Sequence, residues 1–196
     1  MTSRRALLPG ESPLWLYVNV DDIAIFGKDI EPFKPEVSME FDIKDIGVAN
    51  LILGIKVTQE DDLILLDQQH FCESLLDLYG MGDFCPVYNP LITNQHLSSE
   101  SEEELSSFNI LGILYRSAIG SSAYLGTATR RNLSYDVSSL SQFLEWPAMN
   151  HWKAFLHVLG YLKGTQDLAL NYYKGSNSGI VAYSDTDWGN FPDTQR

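Results

Sequence analysis

Two adjacent aspartates set between two β-rich runs constrain this chain more than any other feature. Leu14-Trp-Leu-Tyr-Val-Asn-Val20 and Ile23-Ala-Ile-Phe26 flank Asp21-Asp22. Branched and aromatic runs broken by two polar residues predict a tight antiparallel hairpin. No lysine or arginine lies nearer than Lys28. Carboxylates held between apolar strands are costly to desolvate unless a cation or hydrogen bonds compensate them. Hard Mg2+ prefers carboxylate oxygen and is the natural compensation. Strand alternation sends the two side chains to opposite sides, so one can bind metal while its neighbour supports the turn. The spacing alone leaves two readings open, a water-solvated type I′ turn or a metal site. Asp61-Asp62, which follows Gln59-Glu60 in a polar turn, reads as solvated.

A second acidic group closes the chain. Ile180 to Asp185 alternates and runs into Asp187, so both aspartates share a face if the strand continues. Same-face carboxylates at a strand end can hold Mg2+ for phosphodiester hydrolysis, or they can be a solvated terminus.

Between these acids the periodicity changes. Met39-Glu-Phe-Asp-Ile43 alternates like a half-buried strand, and Lys28 to Val37 reads as a loop or short helix. Leu51-Ile-Leu-Gly-Ile-Lys-Val57 and Leu63-Ile-Leu-Leu66 flank a polar turn, which predicts a second hairpin. From there the period is helical. Phe71, Leu75, Leu78 and Tyr79 share a face, and Gly80 stands where a C-terminal cap belongs. Pro86 to Ser101 is turn-rich and is the internal boundary candidate. Leu111 to Thr127 carries the small residues Ala118, Gly120, Ser121, Ala123 and Gly126, suited to close helix packing. Leu133 to Leu144 and Trp152 to Leu162 are two more helical segments, the second closed by Lys163-Gly164. Strand character returns in Leu168 to Tyr173 and Ile180 to Tyr183. Strands, then helices, then strands predict an α+β fold.

Composition excludes several classes. The longest clean apolar run near the start is Leu14 to Val18, far short of the roughly 20 residues of a membrane span. The segment after Arg4-Arg5 is broken by Pro9, Gly10 and Glu11, so it is not a secretory signal. Cys72 and Cys85 lack zinc or redox spacing and read as reduced thiols of an intracellular protein. His70, His96, His151 and His157 show no metal-ligand spacing. The formal net charge of -13 argues against a freestanding nucleic-acid binder. The distribution softens that argument: residues 1–98 carry a net of -10, residues 105–196 a net of +1. A local basic groove around Arg116, Arg130 and Arg131 is compatible with the second half.

Taken together, these segments resemble the Pol polyprotein of copia-type LTR retrotransposons over nearly the whole chain. Tyr17-Val-Asn-Val-Asp-Asp-Ile-Ala-Ile-Phe-Gly27 is similar to the catalytic hairpin of the family's reverse transcriptase. Phe41 to Gly47 and Leu51 to Ile55 resemble the segment after it, where the palm approaches the primer. Asp67 to Phe71, Leu78 to Asp83 and Pro86 to Pro90 resemble the start of the thumb. Tyr115 to Ser121, Thr127 to Arg130 and His151 to Gly164 resemble the segment joining polymerase to ribonuclease H. Ala182 to Gly189 resembles the opening strand of ribonuclease H. The resemblance implies a C-terminal palm and start of thumb over 1–90, a helical thumb and connection over 91–165, and the start of a ribonuclease H-like domain over 166–196.

The implied activity is RNA-directed DNA polymerisation assisted by two Mg2+ ions. Asp21 would be the principal metal ligand, Asp22 its partner, and Asp185 the first metal-binding carboxylate of ribonuclease H. Asn19, Lys44 and Gly54 would lie near nucleotide or nucleic acid. The implied partners are a primer–template of RNA or DNA and deoxynucleotides, with no membrane. Self-association through exposed palm surface is a further expectation.

Departures from the family pattern bear on activity. Asn19 stands where the family has tyrosine, and Arg131 where it usually has proline. Gly160 lies inside a helix, at a cost of about 1 kcal/mol against alanine. Arg131 and Gly160 are consistent with relaxed selection. Polymerase chemistry needs another carboxylate from a strand upstream of the hairpin, and Glu11 is the only acid among the first 20 residues. The expectation is a fragment, cut through both active sites, that does not polymerise alone. The alternative is a non-catalytic interaction protein or decayed remnant.

Overall fold

The structure, a computed structural model, describes residues 2–6, 14–20, 22–90, 97, 112–175, 182 and 184. Its contacts divide the chain into two units, Met1–Asn50 and Leu51–Arg196. Among the described residues the fold is α+β, with two small antiparallel sheets and five α-helices.

In the first unit the expected hairpin forms from β2 (Leu14–Asn19) and β3 (Asp22–Phe26), with Trp15 opposite Phe26 and Asn19 opposite Asp22. A strand that periodicity did not single out, β1 (Thr2–Ala6), pairs antiparallel with the other edge of β2, Thr2 against Val18 and Ala6 against Leu14. Helix α1 (Phe33–Glu40) follows. Pro35 sits in its first turn, where a missing backbone N–H is tolerated.

The expected strand over Met39 to Ile43 does not form. Met39 and Glu40 finish α1, and the Phe41 N–H closes a last helical bond to the Val37 carbonyl at 2.9 Å before the backbone extends. Alternation across five residues fits a helix end as well as a strand. Here Pro32 and Pro35 start a helix that runs through the first two of them. Lys34 then ties the following segment back, reaching Glu31 at 2.7 Å and Asp45 at 3.0 Å.

The second unit opens with β4 (Leu51–Ile52), β5 (Ile55–Gln59) and β6 (Leu63–Asp67). The single strand expected over Leu51 to Val57 is in fact two. Ile52 pairs with Ile55, and Leu53 and Gly54 reverse the chain with φ of 51° and 73°. Two consecutive left-handed residues make the primed turn that matches strand twist, and Gly54 takes such a φ without steric cost. The last strand, β7 (Leu170–Tyr173), pairs with β6. This puts the first of the expected late strands at the edge of the β4–β7 sheet. The second, Ile180 to Tyr183, lies outside the described residues apart from Ala182.

Helix α2 (Gln69–Leu78) ends at Gly80, whose φ of 64° is the left-handed cap that the sequence predicts. Its buried stripe is Cys72, Leu75 and Leu76, while Leu78, expected on that face, is exposed. Helices α3 (Tyr115–Ala128), α4 (Ser134–Ser141) and α5 (Met149–Gly164) complete the core. Of the small residues of α3, Gly126 serves close packing: a β-carbon there would stand 3.6 Å from the Ser134 backbone, and the Ser134 hydroxyl donates to the Gly126 carbonyl at 2.9 Å. The core joins Leu75, Leu76, Ile119, Leu125, Leu133, Leu140, Phe155, Leu159 and Leu162. Burying each such side chain contributes about 1.5–3 kcal/mol. The Tyr115 hydroxyl, buried with it, donates to the Leu140 carbonyl at 2.9 Å.

Candidate active site

The β2–β3 hairpin carries the candidate site. Register places Trp15, Tyr17 and Asn19 on one face of the sheet, opposite Phe26, Ala24 and Asp22. The last pair, Asn19 and Asp22, leaves two residues to reverse the chain. Val20, the first of them, has a φ of 52° and is 88% exposed. A β-branched residue at positive φ is a steric outlier that surrounding structure must hold in place. Val20 and Leu53 are the only non-glycine residues with positive φ among those described.

Asp22 is exposed at the head of β3, and Asn19 is half-buried beside it. Asp21 lies outside the described residues, as does Asp185. Ala182 and Ser184, just before Asp185, are exposed and without regular structure. Among the described residues no group of three His, Cys, Asp or Glu stands close enough to hold a metal ion. One exposed carboxylate is too few donors for a divalent-ion site, which takes several oxygen ligands. The described residues by themselves do not fit the expected pair of Mg2+ ions.

Lys44 lies exposed in the irregular segment after α1. Its neighbour Asp45 takes up the available counter-charge. The Gly47 N–H and then the Lys34 ammonium hold the Asp45 carboxyl below its ordinary range, and Glu31 and Asp45 together raise Lys34. Asn19, Asp22 and Lys44 therefore all belong to the first unit.

Gly54 belongs to the second unit, in the β4–β5 turn. The Tyr124 hydroxyl of α3 donates to the carbonyl of Leu53. A β-carbon on Gly54 would stand 3.0 Å from that hydroxyl. The Tyr124 ring in turn meets Phe71 of α2 edge-on, with centroids 5.0 Å apart and planes at 87°. Sequence reasoning marked Gly54 but not Tyr124, since a tyrosine on a helix face carries no local sign of what its hydroxyl reaches.

The basic groove that the charge distribution allowed around Arg116, Arg130 and Arg131 does not form as such, because Arg130 is only 2% exposed. Its guanidinium donates to the Thr165 carbonyl at 2.8 Å, the Thr165 hydroxyl at 2.6 Å and Asn132 at 3.3 Å. Thr165 caps the C-terminus of α5, the negative end of the helix dipole, where a cation is favoured. Arg130 thus seals a helix end from inside. The Cys72 thiol lies beside it; burial, the larger effect, pushes that thiol up against the opposing pull of Arg130. Arg116 and Arg131 remain exposed.

Gly160 also has a structural role, since the space beside it is filled by another segment of the chain. The segment after the 3-10 turn Met81–Asp83 runs along α5, with the Val87 N–H donating to the Gly160 carbonyl at 3.2 Å. The Phe84 ring occupies the space that a side chain at 160 would need. Further along, the ammonium of Lys163 donates to the carbonyls of Met81 and Gly82, and His157 meets the Asn89 carbonyl at 2.9 Å.

Known proteins extend this picture. The profile of the family described as Reverse transcriptase (RNA-dependent DNA polymerase) matches residues 6–93, a span holding both strained turns. The chain is 35% identical over 181 residues to a retrovirus-related Pol polyprotein from transposon TNT 1-94 of Nicotiana tabacum, covering 88% of this chain and 13% of that protein. It is equally, 35%, identical over 190 residues to the Pol polyprotein from transposon RE2 of Arabidopsis thaliana, again 13% of its length. An uncharacterized mitochondrial protein of Arabidopsis thaliana is 30% identical over 188 residues, covering 93% of this chain and 75% of that protein. The chain therefore spans a small part of the polyproteins and most of the mitochondrial protein. No solved structure matches it.

Proposed function

From the premise that this chain belongs to the reverse transcriptase family of copia-type retrotransposon Pol polyproteins, we propose that it supplies the catalytic hairpin, thumb and connection of an RNA-directed DNA polymerase. In that reaction the primer 3′-oxygen bonds to the α-phosphorus of a deoxynucleotide. The bond from that phosphorus to the β-phosphate oxygen breaks, pyrophosphate leaves, and the hydroxyl proton passes to solvent. The observation that carries the reading is the hairpin itself, with Asp22 exposed at the head of β3 and a strained, exposed Val20 in its turn. Asp21 and Asp22 are read as its carboxylates, Asn19 and Lys44 as groups near primer or nucleotide, and the Leu53-Gly54 turn as a second point of approach to the primer. Residues 166–196, with Asp185, are read on motif as the start of a ribonuclease H-like domain. Primer–template and deoxynucleotides are the proposed partners.

These 196 residues alone are proposed not to polymerise, because one acidic hairpin does not provide the ligands that templated nucleotidyl transfer requires. The test compares Mg2+-dependent primer extension by this chain with extension by a longer Pol chain that includes it. Extension by the longer chain, its loss in Asp21→Asn, and none by the 196 residues is the expected pattern. Extension by this chain alone, abolished by Asp21→Asn, would show that the hairpin suffices.

A second reading, a protein-interaction module, is favoured by one observation. Trp15 and Phe26 oppose each other across β2 and β3, and each is about half exposed, at 49% and 48%. Apolar surface of this kind marks interaction sites. Sedimentation separates the readings: a defined oligomer indifferent to nucleic acid supports the module, and salt-dependent binding to a primer–template supports the polymerase.

A further inference from the structure

We infer that Tyr124 is a positioning residue, which holds the Leu53-Gly54 turn in its left-handed geometry and so sets where that turn meets the primer. The second half of this inference rests on the polymerase reading above. The first half rests on geometry alone. The two-residue turn closed by the Ile52–Ile55 pair has positive φ at both central residues, 51° at Leu53 and 73° at Gly54, and leucine, unlike glycine, resists that conformation. The sequence at this turn, Leu-Gly, is not one of the asparagine or aspartate pairs that favour it without help. Something outside the hairpin must hold it. The Leu53 carbonyl, at the strained residue itself, accepts from the Tyr124 hydroxyl.

The tyrosine is itself fixed. Its ring rests edge-on against Phe71 at 5.0 Å, and α3 is anchored in the core by Ala118, Ile119 and Leu125 on its buried side. Gly54 completes the lock, because any side chain there would come within 3.0 Å of the hydroxyl. The chain thus links a helix outside the family-matched span to a strained turn inside it. Strain held by a distant group is a recurrent property of sites where backbone geometry has to be reproducible.

Tyr124→Phe tests this, since it keeps the ring and its contact with Phe71 and removes only the hydroxyl. In the 196-residue chain, amide exchange at Gly54 and Ile55 is expected to rise about three- to tenfold, with little change elsewhere. Unchanged exchange at the turn overturns the inference. In a longer Pol chain the same variant is expected to raise the KM for primer–template about three- to tenfold and leave kcat unchanged. Gly54→Ala, which crowds the contact from the other side, is expected to raise the same KM. Faster exchange with an unmoved primer KM overturns the positioning role and leaves the family reading intact. A longer chain that extends no primer at all sinks the polymerase reading and the primer role with it, while exchange still decides whether Tyr124 holds the turn.

Discussion

The edge of the Phe84 ring lies 2.7 Å from where a β-carbon on Gly160 would stand, with the Val87 side chain 3.4 Å away. Helix α5 carries a second glycine one turn on, Gly164, and there a β-carbon would meet Pro86 at 3.1 Å. The two glycines let an extended segment lie directly on the helix backbone, where it gains packing and a hydrogen bond from Val87 to Gly160.

In an exposed helix interior, glycine to alanine stabilises by up to about 1 kcal/mol. Gly160→Ala is expected to do the reverse here, lowering stability by about 1–2 kcal/mol because Phe84 must leave its place. In a Phe84→Ala background the same substitution should become neutral or stabilising. Urea unfolding of the four chains of this cycle checks the coupling. Additivity would show that the contact carries no energy.

Arg130 predicts a large loss from a conservative change. Lysine cannot reproduce a planar fork that reaches both the carbonyl and the hydroxyl of Thr165. Arg130→Lys is expected to cost about 2–4 kcal/mol, since it leaves buried polar groups without partners. Chemical denaturation measures it directly. A loss below the level of an ordinary surface substitution would remove Arg130 from the core account.

Asp136 sets a pH dependence. It is 4% exposed on α4, and burial pushes its carboxyl up from the ordinary value of 3.8 to about 6. Because the folded-state value is the higher one, the folded chain holds this proton more tightly than the unfolded chain does. The group therefore adds no penalty below about pH 4, and its stability cost grows through the window up to about 6. Asp136→Asn should match the parent chain near pH 4 and exceed it by about 1–3 kcal/mol above pH 6. Thermal unfolding of both chains across that range tests the sign. A parent chain that gains on the variant as pH rises would contradict it.

Asp22 should behave in the opposite way to these core residues. It is exposed at the head of β3, so Asp22→Asn is expected to leave stability within about 0.5 kcal/mol of the parent. In the longer Pol chain it is expected to lower primer extension by at least a hundredfold if the carboxylate takes part in the chemistry. Full extension with unchanged stability would place Asp22 outside the reaction.

Much of the fold was legible where a pattern is local and long. The β2–β3 hairpin follows from two β-rich runs around a polar pair, α2 with its Gly80 cap from a helical period closed by glycine, and α3 and α5 from helical segments of more than ten residues. The family was legible for a related reason, since its motifs stand in order along the whole chain. Short segments misled. Five alternating residues at Met39 to Ile43 could not outweigh a helix started by two upstream prolines. The β-rich run from Leu51 to Val57 hid a two-residue turn, because Leu-Gly is a weak turn signal unless a partner holds it.

What the sequence by itself determined is what neighbours along the chain determine: element type, the acidic hairpin, and kinship to a reverse transcriptase. What only the tertiary structure decided lies in contacts between residues distant along the chain. Arg130 reads as a surface cation until Thr165 meets it, Gly160 as a defect until Phe84 lies on it, and Tyr124 as an ordinary helix residue until its hydroxyl reaches Leu53. Burial and hydrogen-bond geometry depend on which surfaces the folded chain brings together. No local window of residue types encodes that, so these three roles appear only once the chain is folded.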